Sequence, residues 1–222
     1  PDEYKTAFGL YLINGVTGIR DMGALLSLDD QRRIAGDVET GAIAGPRVIL
    51  SGAWIDASPG SWPGMFLADT PDEGRARVKQ IKAQNWAAVK SYSMLAENTY
   101  RAIADEAKKL NIPVVGHIPE SVTLETAIEA GQDGMEHFGR VTMACSTQEA
   151  AMISRVKSAL KADDPRTAMI AEMAKHNRIV LDTWDSSLCS QVVTRLAAAK
   201  LAVTPTLIVS DFYVGKRPAA SD

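Results

Sequence analysis

Short apolar runs alternate with amphipathic segments of helical length along most of this chain, and that alternation is the feature that most restricts its fold. A strand, a helix and a further strand in series bring the chain back in the direction it started, so successive strands pair in parallel through right-handed crossovers. Six runs read as strands: residues 13–22, 47–55, 86–92, 113–118, 134–138 and 202–209. The helices between them carry their own signals. Asp29 and Asp30 can cap a helix that runs to about Ala44, where Gly45-Pro46 stops it. Thr70 reads as a cap with Pro71 in the first turn. Tyr100, Ile103, Ala104, Ala107 and Leu110 fall on one face of a helix over 97–110. A short helix over 123–130 ends at Gly131, and another over 185–200 precedes the last strand. The stretch 147–178 is helical but too long for a simple crossover, and reads as an insertion. Residues 57–64 form a Gly-, Pro- and Ser-rich loop, and the tail 216–222 is expected to fray.

Two architectures satisfy this pattern: an open doubly wound sheet and a closed (β/α)8 barrel. A chain of 222 residues suits one domain (1–222) of either kind. The net charge is −3 and the sequence pI about 5.7, so the chain has no basic field for nucleic acid or an anionic membrane. No apolar run is long enough to span a bilayer. Cys145 and Cys189 form no CxxC pair and are expected to be reduced, buried thiols; nothing in the sequence demands a disulfide. The phosphate-binding patterns GxGxxG and GxxxxGK[ST] do not occur, which argues against a nucleotide-binding protein.

Three consecutive strand candidates each end in a side chain able to bind a metal: Lys90, His117 and His137. The C-terminal ends of parallel strands are where α/β enzymes keep their chemistry. A single histidine there is usually just a satisfied polar residue, but an ammonium inside an apolar run is costly unless paired or neutralised. A lysine amine can be neutralised by taking up carbon dioxide, which makes it an anionic carbamate with oxygen ligands. Tyr92 shares the face of Lys90 and can reach a substrate carboxylate or an oxyanion. Arg140, three residues past His137, can grip a substrate carboxylate. Alternation turns Glu136 to the opposite face, which gives it a structural role. Arg20 and Asp21 end the first strand, and His176 reads as a solvated surface residue.

The segments Val89-Lys90-Ser91-Tyr92, Val115-Gly116-His117-Ile118-Pro119 and Gly134-Met135-Glu136-His137 resemble the amidohydrolase superfamily, most closely its imidazolonepropionase-like and Xaa-Pro dipeptidase-like members. Gly15-Val16-Thr17-Gly18-Ile19-Arg20-Asp21-Met22 resembles that family's second barrel strand, and Val203-Thr204-Pro205-Thr206-Leu207 its seventh. The resemblance covers about residues 9–210. It implies a TIM barrel of the metal-dependent hydrolase type. It also implies one or two divalent ions, commonly zinc, with Lys90 carboxylated as the bridging ligand and His117 and His137 on the second metal. The activity implied is hydrolysis of a C–N bond in a peptide-like or cyclic amide by a metal-activated water. The substrate would be a small or dipeptide-like molecule, with no nucleic acid or membrane partner.

The chain departs from the family at both ends. The His-x-His pair of the first strand has no counterpart, and the aspartate of the eighth strand is missing; Asp211 follows the seventh strand and does not take its place. The expectation is therefore an incomplete barrel whose N-terminus lies beyond Pro1, with open edges that favour a homo-oligomer. Location, cytoplasmic or exported, stays open. The alternative is a degenerate family member acting as a binding or scaffold module.

Overall fold

The structure, a computed structural model, describes residues 3–23 and 26–207. The elements run α1 (Glu3–Ile13), β1 (Gly18–Asp21), α2 (Leu28–Glu39), β2 (Arg47–Leu50), β3 (Trp54–Asp56), β4 (Phe66–Leu67), α3 (Pro71–Ala83), β5 (Val89–Ser91), α4 (Glu97–Lys109), β6 (Val114–Gly116), α5 (Leu124–Ala130), β7 (Gly134–Glu136), α6 (Gly139–Ala144), α7 (Glu149–Ala159), α8 (Pro165–Asp182), α9 (Ser186–Ala199) and β8 (Ala202–Thr204). The chain divides into two compact units, Pro1–Val114 and Val115–Asp222. The result is a mixed α/β structure whose named strand pairs are parallel, as the crossover pattern requires.

In the first unit β1 pairs with β2 from Gly18↔Arg47 to Asp21↔Leu50, and β3 pairs with both β4 and β5. The expected strand over 47–55 is in fact two, β2 and β3. The break falls at Gly52, where φ is +79° and the backbone lies against the Trp86 ring; a Cβ there would come within 2.5 Å of it. The expected strand from Ile13 is also shorter. Ile13 closes α1, and the amides of Asn14, Gly15 and Val16 fold back onto carbonyls of that helix before β1 begins. The sequence pattern did not announce α1, because its apolar residues do not gather on one stripe: Phe8 is buried while Leu10, Tyr11 and Ile13 are exposed. Ser27, not Asp29 or Asp30, caps α2, and the helix ends at Glu39 rather than Ala44. Thr70 and Glu73 form a reciprocal capping box on α3, with Pro71 in the first turn. The helix α3 lies close on α4, with Gly74 against Ile103 and Thr99. Val78, Ile81, Val89, Tyr100 and Ile103 are wholly buried in this core. Each such aliphatic side chain contributes roughly 1.5–3 kcal/mol relative to exposure.

In the second unit β7 pairs with β8, Gly134↔Ala202 to Glu136↔Thr204. The buried Gln132 amide donates to the carbonyls of Gly116 and Gly134 and so ties the end of β6 to the start of β7. Gly131, with φ +79°, ends α5 as the sequence suggests. The long helical stretch is two helices, α7 and α8, with Met143, Met152, Ile153 and Val180 packed between α6, α7 and α8. Cys145 and Cys189 are joined in a disulfide, which corrects the expectation of free thiols. The cause is local: the Asp185 amide donates to the Cys145 carbonyl and Ser146 bridges to Trp184, bringing the start of α9 against the end of α6. Cysteines 44 residues apart give no such hint in the sequence. Among the described residues no helix is long and apolar enough to cross a membrane.

Candidate functional site

The second unit brings two of the sequence-predicted residues together. His117 follows β6 and His137 follows β7, and their Nε2 atoms are 3.1 Å apart with the rings edge to face. The backbone does unusual things to achieve this. Gly116 has φ +102°, His137 φ +70° and Thr206 φ +50°. A non-glycine residue in the left-handed region is uncommon, and a β-branched threonine there is an outlier. Such residues concentrate where a site requires a particular side-chain direction. The His137 amide still donates to Thr204 at 2.8 Å, so the ladder between β7 and β8 runs one bond further and the chain reverses immediately after it.

Thr206 sets the chemistry of His137. The Thr206 hydroxyl donates to the Pro205 carbonyl at 2.8 Å, and its oxygen lies 2.6 Å from His137 Nδ1. With the hydroxyl proton on that carbonyl, the oxygen offers Nδ1 a lone pair, and in that arrangement Nδ1 carries the hydrogen and Nε2 the lone pair. That lone pair faces His117 Nε2. Two arrangements satisfy the contact: an N–H on His117, or two lone pairs that share a cation. The sequence reading missed Thr206, although Thr-Pro-Thr at a strand end was the available signal.

Lys90 and Tyr92 lie in the first unit. Lys90 is buried, and its Nζ stands 4.0 Å from the centre of the Trp54 ring and 5.5 Å from that of Tyr92. The Trp54 and Tyr92 rings stack at 5.0 Å, nearly parallel, and Trp62 Nε1 donates to the Tyr92 hydroxyl at 2.8 Å. Aromatic faces stabilise a buried ammonium through their quadrupoles. Asp21 also feels this charge. Burial pushes its carboxyl up, and the amide of Gly23 and the Lys90 ammonium pull it part of the way back. Asp56 was not singled out by the sequence, yet it organises this edge. It is fully buried and accepts from the Ser61 amide and hydroxyl at 3.2 and 2.7 Å and from the Met94 amide at 2.7 Å. It thereby pins the loop after β3 and the turn after β5. Burial raises its carboxyl, and those hydrogen bonds offset part of the rise.

Arg140 is turned inward. Its guanidinium meets Glu120 and the Pro119 carbonyl, the latter at 3.1 Å; Arg140 is buried and Glu120 largely so. Burial pushes Glu120 above the ordinary carboxylate range, and Arg140 holds part of that rise back. The pair fastens the turn after β6 to the first turn of α6. Glu136 is buried on β7. His176 corrects an expectation: it is 5% exposed, on the inner side of α8, and not a solvated residue. Burial, then Arg140 and Arg155, push its ring below the ordinary value. Asp211 lies outside the described residues, as do the tail 216–222 and the last two residues of the expected strand 202–209. Among the described residues no three of His, Cys, Asp and Glu gather into a group able to hold a metal ion.

No family model matches this chain, and no curated protein matches it in sequence. Solved structures do. The chain is similar to a Bifidobacterium longum protein assigned as a prolidase, at TM-score 0.54 and 19% identity, over 91% of this chain and 56% of that one. It is similar to a bottromycin amidohydrolase at TM-score 0.51 and 15% identity, over 88% and 60%. An uncharacterized protein matches at TM-score 0.52 and 19% identity, over 89% and 56%. These neighbours establish a shared α/β fold. The chain spans 56–60% of their lengths.

Proposed function

We propose that the protein carrying this chain is a metal-dependent hydrolase of a C–N bond in a peptide-like or cyclic amide, built on an amidohydrolase barrel. The observation that carries the reading is the His117–His137 pair, with its 3.1 Å spacing and the Thr206 hydroxyl set against His137 Nδ1. Two nitrogens bound to one zinc at ordinary length and a tetrahedral angle stand about 3.3 Å apart, so the donor spacing fits. Thr206 is then the outer partner that such a histidine requires. The names of the structural neighbours, an amidohydrolase and a protein assigned as a prolidase, support the choice of bond.

In this proposal His117 and His137 hold one divalent ion; by its resemblance to the family's strand-four lysine, Lys90 is also a metal ligand, as amine or carbamate. The bound ion supplies Lewis acidity and a water acidified to near neutral pH. The chain's own residues do the rest. Thr206 keeps the His137 proton on Nδ1. Trp62 holds the Tyr92 hydroxyl in one orientation, and by the resemblance Tyr92 is a substrate-binding residue. Arg140 keeps the turn after β6 in place through Glu120.

The absence of a three-donor group among the described residues favours a second reading, a binding module without catalysis. One experiment separates them. The full-length protein is purified, its metal content measured, and N-acyl amino acids, X-Pro dipeptides and lactones are screened with zinc or manganese and bicarbonate. A bound divalent ion that His117→Ala and His137→Ala both remove, with turnover of an amide substrate, is the expected result. Metal without turnover selects the module. No divalent metal at all refutes the proposal.

A further inference from the structure

The disulfide of the second unit joins the two arms of the chain that carry His137 and Thr206. Cys145 ends α6, the helix that begins two residues after His137; Cys189 stands in the first turn of α9, the helix that leads into β8 and Thr206. The loop it closes holds α7 and α8. What else holds α9 is slight. Of its 14 residues only Val192 is buried; Leu188, Cys189 and Leu196 are half-buried and Val193 is exposed. Helices in proteins draw most of their stability from a packed apolar face, and this one has little of it. Its polar anchors are the Asp185 amide on the Cys145 carbonyl, beside the disulfide itself, and an ion pair of Arg195 with Glu125 at the surface. Exposed ion pairs contribute little. Beyond α9, Leu201 is buried, but β8 has three residues, two of them exposed, and pairs only with β7 among the described residues. A two-stranded ladder that short is marginal by itself.

We infer that the Cys145–Cys189 disulfide is a redox latch on the His137 geometry. Oxidised, it holds α9 against α6, and through α9 it keeps β8 and Thr206 where the threonine oxygen meets His137 Nδ1. Reduced, α9 undocks and that contact loosens. The reductant is a dithiol. Its thiolate attacks the sulfur of Cys189, the half-buried partner of a wholly buried Cys145. The S–S bond breaks and its electron pair goes to Cys145 Sγ, which takes up a proton. The second thiol of the reductant then displaces Cys189 from the mixed disulfide. Two electrons and two protons have passed to the chain, and the reductant leaves as a disulfide. The latch concerns the placing of Thr206 on His137 and does not depend on which reaction the site performs.

The test is amide hydrogen exchange of the full-length protein, metal-free, before and after dithiothreitol, with alkylation and mass spectrometry to record the state of the two cysteines. Exchange over 186–204 is expected to quicken at least about tenfold on reduction, while α4 (Glu97–Lys109) in the first unit keeps its rate. Reoxidation should restore the slow exchange. The double variant Cys145→Ala/Cys189→Ala should match the reduced protein and ignore dithiothreitol. The ring nitrogens of His137, followed by 15N NMR at fixed pH, should move on reduction toward the averaged shifts of a free imidazole. Cysteines that stay unlinked under oxidising conditions overturn the inference. So does equal exchange over 186–204 in the two states, a rise shared by α4, which would make the disulfide a staple of the whole fold, or a His137 ring that does not respond. Because no metal is present, a protein that proves to bind none leaves this result standing, and a failed latch leaves the hydrolase reading to its own experiment.

Discussion

Replacing His137 by glycine and by alanine gives a direct measure of what the site costs the fold. His137 stands at φ +70°, where an L-residue is penalised by roughly 1–2 kcal/mol. Both substitutions delete the imidazole and its contacts with Thr206 and His117, so those losses cancel when the variants are compared. What remains is backbone. Glycine relieves the left-handed strain but loses about 0.4–1 kcal/mol through the greater freedom of its unfolded chain. The His137→Gly variant should therefore be more stable than His137→Ala by about 0.5–1 kcal/mol, against the usual ordering of the two residues. For a chain of this length that is roughly 1–4 °C in Tm. The assay is thermal and urea unfolding with a chelator present, so that ligand binding does not enter the comparison. Adding zinc at about 100 times its Kd should then raise wild type by about 2.7 kcal/mol and leave both variants nearly unmoved. An alanine variant as stable as the glycine variant would show that the residue is not held in the left-handed region, and the strain argument would fail.

Other perturbations test separate links. Thr206→Val should weaken zinc binding about 10–100-fold, read by chelator competition, while Thr206→Ser keeps it, because the hydroxyl and not the methyl holds Nδ1. His176 has a folded pKa pushed below its ordinary 6.5. The unfolded chain therefore takes up the proton first, and stability is complete above about pH 6.5 and is lost as pH falls toward the lower folded value. His176→Leu should flatten that slope, by up to about 1.4 kcal/mol per pH unit, in urea melts between pH 7 and 5. Gly74→Ala would place a Cβ 2.9 Å from Ile103 Cγ1. It should destabilise by about 1 kcal/mol net in denaturant unfolding, since the overlap outweighs the gain in helix propensity. A gain in stability there would show that α3 and α4 can part without cost.

The sequence revealed elements whose signals are local. Thr70-Pro71 with Glu73, the one-sided face of α4 and the glycine after α5 each act within a few residues, and all stand where they were read. It hid what depends on partners distant in sequence. The break at Gly52 exists because Trp86 occupies the space, and the disulfide exists because α9 returns to the end of α6. His176 was misread for the same reason: its neighbours in sequence are polar, but packing of α8 turns it inward. The strand-end histidines were legible as a pair of positions. Their 3.1 Å approach was not, because it depends on three positive-φ residues, two of them of types that rarely adopt that conformation.

That geometry has a structural logic. In paired parallel strands side chains alternate between faces, and a residue just past the last ladder bond inherits whichever face its number dictates. His137 closes the ladder through its amide to Thr204, and from there regular extension would carry its side chain onward along the same alternation. Reversal into the left-handed region at His137, and again at Thr206 two residues past the adjoining strand, releases both side chains from it. The imidazole then meets the threonine hydroxyl on one side and His117 on the other. Glycine at either position would reach the same backbone at less strain, but it could supply neither the ring nor the hydroxyl. The strain is thus the cost of placing a functional side chain where the pleat would not, and this ties the backbone outliers to the Nε2 pair more firmly than either observation does alone.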